Sequence, residues 1–275
     1  WMFGSETFPA MVFLVLLFFV PESPRWLTKQ GRESEALRIL SRVSGKENAE
    51  REMIEIKDAI AHEGGSIFQL FQPGLRIALA IGLVLAFLQQ VTGINAVLYY
   101  APEIFKTAGM ASTKAISDTV IVGAINLLFT IVALAVVDRL GRKPLLLIAS
   151  TGMGISLTLL GLAFIYQKFE GPWVLVFILT YVASFAVAMG PVVWVVMSEI
   201  FPTRIRGRAM SISTVCLWIS CFGVSLLFPK MLEIMQGASF FVYAVMCVVA
   251  VVFVAFCVPE TKGKTLEEIE QRWMT

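Results

Sequence analysis

Long apolar runs separated by short polar connections dominate this chain. Six of them, approximately Ile77 to Ala101, Thr119 to Val137, Pro144 to Tyr166, Trp173 to Met197, Ala209 to Phe228 and Ser239 to Val258, are long enough to cross a bilayer, whose hydrocarbon core takes about 20 helical residues. A seventh run extends from Trp1 or Phe3 to Val20, interrupted by Ser5, Glu6 and Pro9. It lacks the positive n-region and small-residue cleavage site of a secretory signal, and so reads as a transmembrane helix cut off at the start of the sequence. The pattern then changes. From Pro21 to Gln72 the chain is too polar to span, yet Ala36, Leu37, Leu40 and Val43, then Ala49, Met53, Ile56 and Ile60, recur at helical spacing. This predicts two or three short amphipathic helices against the inner membrane face, broken at Gly45 and at Gly64-Gly65. A solvated linker is the plainer alternative, and His62, the only histidine, then stands in solvent. The expected organisation is a truncated transmembrane helix at residues 1–20, a cytoplasmic linker of intracellular helices at 21–75, a six-helix bundle at 76–258 and a cytoplasmic tail at 259–275.

Composition sharpens this picture. Hydrophobic residues make up 57% of the chain and charged residues 15%, against about 25% charged in soluble domains, which excludes a water-soluble enzyme. A net charge of +2 without basic, aromatic-interleaved stretches gives no reason to expect a nucleic-acid partner. Cys216, Cys221, Cys247 and Cys257 all fall inside apolar runs, as reduced packing thiols do. Neither a metal nor a cofactor is expected. Of the 22 Lys and Arg residues, all but Lys106, Lys114, Lys168 and Lys230 lie in alternate connections. The excess of positive charge on cytoplasmic loops then puts the Pro21 to Gln72 segment and the C-terminus inside a multi-pass cell-membrane protein.

Two junctions echo each other, Val20-Pro21-Glu22-Ser23 and Val258-Pro259-Glu260-Thr261. If they end equivalent helices of a duplicated unit, that unit has six spans, and the chain holds the last helix of one copy and the whole of a second. That is about seven-twelfths of a secondary transporter, with the first half of the protein missing.

The six spans as bounded contain no ionisable Asp, Glu, Lys, Arg or His, so anything handled at mid-membrane should be neutral. They do contain four carboxamides: Gln89, Gln90, Asn95 and Asn126. Amides donate and accept, as hydroxyl groups do, and so suit a polyhydroxylated ligand; as isolated residues they would equally serve as glue between helices. On an unbroken helix Gln90 and Asn95 stand about 140° apart, and Phe185 and Trp194 about 180° apart. Neither pair faces one cavity unless the helix between them is broken. Val91-Thr92-Gly93-Ile94 and Gly190-Pro191 supply the two breaks, and broken helices at membrane depth line cavities or protein interior.

These residues occur within motifs that resemble the sugar porter family of the major facilitator superfamily, and most of all its bacterial proton-linked xylose and hexose transporters. The motifs are Pro21-Glu22-Ser23-Pro24-Arg25; Gln89 to Asn95 followed by Tyr99-Tyr100; Asp138-Arg139-Leu140-Gly141-Arg142-Lys143-Pro144; Gly190-Pro191 with Trp194; Ser198-Glu199-Ile200-Phe201-Pro202 leading to Arg206-Gly207; and Pro259-Glu260-Thr261-Lys262-Gly263. The resemblance implies an all-α membrane protein of major facilitator fold. It implies that Gln89, Gln90, Asn95 and Asn126 bond a monosaccharide while Phe185, Trp194 and Trp218 wall the site. It assigns gating to Tyr99 on the outer side. On the inner side it assigns gating to Glu22, Arg25, Asp138, Arg142, Glu199, Arg206 and Glu260, with Glu22 and Glu260 contacting the arginines. One position departs: Leu217 stands where many members carry Gln or Asn before the aromatic residue.

The expected activity is transport of a hexose or pentose by alternating access, by proton symport or facilitated diffusion, with Gly152, Gly154 and Gly161 allowing close helix approach. A sugar sensor that binds without transporting is the alternative from another class. A membrane-embedded enzyme is disfavoured, since no intramembrane nucleophile has a base beside it.

Overall fold

A computed structural model describes residues 4, 7–61, 70–72, 75–167, 172–202 and 205–264. The chain divides into two compact units, Trp1–Ser66 and Ile67–Thr275.

In the first unit, α1 (Thr7–Leu17) has no buried residue. Three short helices follow: α2 (Pro24–Lys29), α3 (Glu33–Ser44) and α4 (Lys46–Ala61). Pro24 opens α2, where a missing N–H costs nothing. Gly45 separates α3 from α4 at φ +84°. Leu27, Ala36, Leu40, Ala49 and Met53 close a small core, with Leu37 and Ile56 packed on its edge. Val43 departs from the expected apolar face and is 82% exposed. His62 and Gly64-Gly65 lie outside the described residues.

The second unit is built of α5 (Leu75–Val91), α6 (Ile94–Thr107), α7 (Ser112–Leu140), α8 (Arg142–Ile165), α9 (Trp173–Ser184), a π-helical turn (Phe185–Met189), α10 (Pro191–Ile200), α11 (Arg206–Met235) and α12 (Ala238–Cys257). Counted as continuous or broken spans, six of these elements are long and apolar enough to cross a membrane among the described residues. Three expected spans prove markedly longer, the first of them running from Leu75 to Thr107. α7 starts at Ser112 and α11 runs through Pro229 to Met235, because a helix keeps its hydrogen bonds beyond the apolar stretch that hydropathy detects. The longer α7 takes in Lys114, Asp118, Asp138 and Arg139, all of them outside the charge-free stretch from Thr119 to Val137. Asp118 is 6% exposed, and its Oδ2 has no hydrogen-bond partner among the described residues.

α8 packs along α12 and α9, and α11 along α5. Apolar burial drives no helix association where lipid is equally apolar, so close contact between small residues does the work. A Cβ built on Gly154 would lie 3.3 Å from the Cβ of Cys247, and one on Gly161 would lie 3.1 Å from the Gly237 carbonyl oxygen. Gly152 faces Ser184 across the α8–α9 contact at 2.6 Å on the same construction. Gly161→Leu is therefore expected to destabilise the bundle by about 1–3 kcal/mol through overpacking. A melting curve of the full-length protein in detergent checks this, and an unchanged midpoint would refute the close crossing.

Candidate functional site

Both expected breaks are present. α5 ends at Val91, and α6 starts at Ile94 after Gly93, whose φ of +96° suits a residue without a Cβ. A Cβ at Gly93 would also lie 2.8 Å from the ring of Tyr243. In the second broken span, Pro191 has no N–H to offer the Val187 carbonyl, and the chain widens: the Gly190 N–H bonds to the Phe185 carbonyl at 3.0 Å, five residues back.

The first break brings Gln90 and Asn95 together. Asn95 Nδ2 donates to Gln90 Oε1 at 2.6 Å and to Cys221 Sγ on α11 at 3.1 Å. A straight helix would hold these two amides on different faces. Gln89 turns elsewhere. It is 2% exposed, and its amide nitrogen donates to the carbonyls of Met189 and Gly190, each at 2.9 Å. Both Gln89 protons are thus spent on the other break, leaving Oε1 as its one group for a ligand.

The remaining expected residues are more scattered. Phe185 begins the π turn, its ring edge 3.1 Å from where a Cβ on Gly190 would stand. Trp194 is half-buried on α10. Asn126, also half-buried, makes no side-chain hydrogen bond within the described residues; its carbonyl accepts from Thr130. Trp218 is 58% exposed on α11, one turn before Cys221. Leu217 packs in the core and offers no polar group. Tyr99 is exposed and lines a cavity of about 640 Å³ with Tyr100, Glu103, Phe228 and Glu233.

Charges gather at the ends of α7, α8 and α10. The Arg142 guanidinium holds Glu199 in a two-point fork, Nη2 to Oε1 at 2.8 Å and Nε to Oε2 at 3.2 Å. Charge-assisted forks of this kind are the strong ones. Asp138 lies 3.2 Å from Nη2, but its side chain is 79% exposed, so solvent screens that pair. Thr261 Oγ1 donates to Glu199 Oε2 at 2.5 Å. Glu260 meets Arg142 differently from expectation. Its carboxylate accepts the main-chain N–H groups of Arg142 at 3.0 Å and Lys143 at 3.1 Å, capping α8, rather than the guanidinium. Donors at a helix start have no partner within the helix, which makes this a natural carboxylate seat. A Cβ on Gly141, at φ +90°, would stand 2.8 Å from that carboxylate. Burial pushes the Glu260 acid upward, yet main-chain N–H bonds from Lys262, Arg142, Lys143 and Thr261 outweigh it and hold the group below the ordinary carboxylate range. Arg206 Nε donates to the Phe201 carbonyl at 3.2 Å. Glu22 and Arg25 belong to the first unit, where Glu22 is exposed and Arg25 half-buried.

Three participants escaped the sequence reading: Tyr181, Cys221 and Thr261. Tyr181 carried a signal, since a tyrosine inside an otherwise apolar run needs a partner for its hydroxyl.

Two broken helices meeting inside a bundle of membrane-length spans, with paired charges at the helix ends, define a membrane transporter architecture. The family model described as "Sugar (and other) transporter" matches residues 1–273, and the chain belongs to this sugar porter family of the major facilitator superfamily. It is 42% identical over 276 residues to the arabinose-proton symporter of Bacillus subtilis, covering 100% of this chain and 60% of that protein. It is 45% identical over 280 residues to the D-xylose-proton symporter of Escherichia coli K12, covering 99% and 57%. The solved proton:xylose symporter XylE bound to 6-bromo-6-deoxy-D-glucose superposes with a TM-score of 0.83 at 44% identity, over 99% of this chain and 58% of that one. The chain thus spans about three-fifths of the length of these relatives.

Proposed function

We propose that this chain forms part of a monosaccharide transporter working by alternating access, with the sugar bound at mid-membrane against the two helix breaks. The observation that carries the reading is the meeting of those breaks, tied by Gln89 and Tyr181, with the Gln90–Asn95 pair at the first break and Phe185 opening the second. Amides that both donate and accept match sugar hydroxyls, and aromatic residues of the same spans match the C–H faces of a pentose or hexose. On this reading Asn126 and Trp218 complete the wall from α7 and α11, and Gln89 contributes through its oxygen. Tyr99 acts at the outer gate. Asp138, Arg142, Glu199, Arg206 and Glu260 form the cytoplasmic latch, and Glu22 and Arg25 serve the gating from the 21–75 linker. The organisation proposed is one helix of a first half at residues 1–20, the linker, a six-helix second half at 76–258 and a cytoplasmic tail, so that a partner half of the same protein completes the cavity.

The relatives include proton symporters and a glucose facilitated diffusion protein of Zymomonas mobilis, 38% identical, so transport with or without a proton is the question to ask of the whole protein. Proteoliposomes of the full-length protein should take up labelled xylose, arabinose or glucose, with competition by the unlabelled sugar. An inward proton gradient that concentrates the sugar identifies symport, and equilibration alone identifies facilitated diffusion. Failure to take up any pentose or hexose would overturn the proposal.

A further inference from the structure

We infer that the two helix breaks brace each other, and that Tyr181 is a positioning residue for the amide cluster. This rests on the sugar-site reading and deepens it. The break after α5 leaves the Thr92 carbonyl without a backbone N–H, and the Tyr181 hydroxyl donates to it at 2.9 Å. The break at Gly190-Pro191 receives the opposite tie, from Gln89 to the carbonyls of Met189 and Gly190. Gln89 stands three residues before Thr92, and Tyr181 stands four residues before the π turn opens at Phe185. Each broken span therefore sends one side chain, from the intact turn just before its own break, to the main chain of the other's break.

Burial makes both ties matter. Gln89 is 2% exposed and Tyr181 1%, so no water stands ready to replace a lost partner, and an unpaired carbonyl at this depth is costly. The two crossed ties join the same two spans, so their relative rotation is held only while both are made. The candidate ligand groups hang directly from this brace. Gln90 adjoins Gln89, Asn95 follows Thr92 by three residues, and Phe185 and Trp194 flank Met189 and Gly190. Tyr181 spends its hydroxyl on the main chain, so it acts on the sugar through the Thr92 break. A tyrosine that merely fills the core would affect stability and leave sugar affinity alone.

Tyr181→Phe keeps the ring and removes one hydrogen bond; Gln89→Met keeps the volume and removes the other tie. In the full-length protein, Tyr181→Phe should weaken sugar binding by about fivefold, with KM rising in parallel and maximal uptake changing less. Because either cut releases the same brace, the double variant should bind about as weakly as Gln89→Met alone, whereas independent roles would multiply the two losses. The same cycle run on melting temperature without sugar should also be non-additive. Sugar affinity for Tyr181→Phe within about twofold of the parent, or multiplying losses, overturns the positioning role. If the parent binds no sugar, the transport reading falls by itself, and the melting cycle still decides the brace: additive shifts refute it and non-additive shifts uphold it.

Discussion

Sugar uptake by proteoliposomes of the full-length protein is expected to fall to background on Gln90→Ala, with expression and melting behaviour close to the parent. Gln90 differs from its neighbour in what it holds. Gln89 is tied to main-chain carbonyls of another span, while Gln90 is bonded through its oxygen to Asn95, an internal contact that a sugar hydroxyl can replace at little cost. Removing the Gln90 amide deletes a ligand group and frees Asn95 from its partner, so the site loses the position of both. Leaving a sugar hydroxyl and the Asn95 amide without this partner costs about 1–3 kcal/mol for each unpaired group, which together carry uptake down towards background. Uptake at the parent level would remove Gln90 from the site. Gln90→Asn, which keeps an amide on a shorter arm, should recover part of the activity.

Turnover is expected to slow about tenfold on Arg142→Ala, with sugar affinity held within about twofold. Arg142 is the hub of the charge cluster, with its side chain 12% exposed and its fork on Glu199. Deleting it strands a half-buried carboxylate, although Thr261 still donates to Glu199. If the fork acts as the proposed latch, the closed state then loses population, while the amides around the first break are untouched. Arg142→Lys separates charge from geometry. It keeps the positive charge and loses the two-point fork, so it should fall between the parent and Arg142→Ala. Normal turnover in both variants would mean that the fork orders the helix ends and plays no part in the transport cycle.

The positions of the spans, and of the breaks within them, are legible without a structure because both have local causes. Apolar length sets the spans. Gly93 and Pro191 set the breaks, one through a backbone angle and the other through a missing donor. The pairing of Gln90 with Asn95 was foreseeable too, since an intact helix forbids it and a broken one allows it. The close approach at Gly161 follows from a small residue in an otherwise bulky run, whereas its partner Gly237, at the start of α12, became visible only in the structure.

What stayed hidden depends on contacts between residues distant in the chain. Hydropathy reads Gln89 and Gln90 as equivalent, yet adjacent helix positions point about 100° apart. One therefore reaches a break 100 residues away, and the other stays at its own. Cys221 sits in an apolar run where composition marks it as filling, and the Tyr181 hydroxyl signals a need for a partner without saying which; only the packing of their helices brings an amide to the first and a carbonyl to the second. Glu260 shows the same limit at the charge cluster. Its sign pointed to the arginine side chain, but the start of α8 offered N–H groups without partners, and the carboxylate went there. For this protein the sequence alone determined which segments cross the membrane, where they break and which chemistry is available. The tertiary structure decided which polar group satisfies which, because each buried donor and acceptor must find a partner somewhere in the whole bundle.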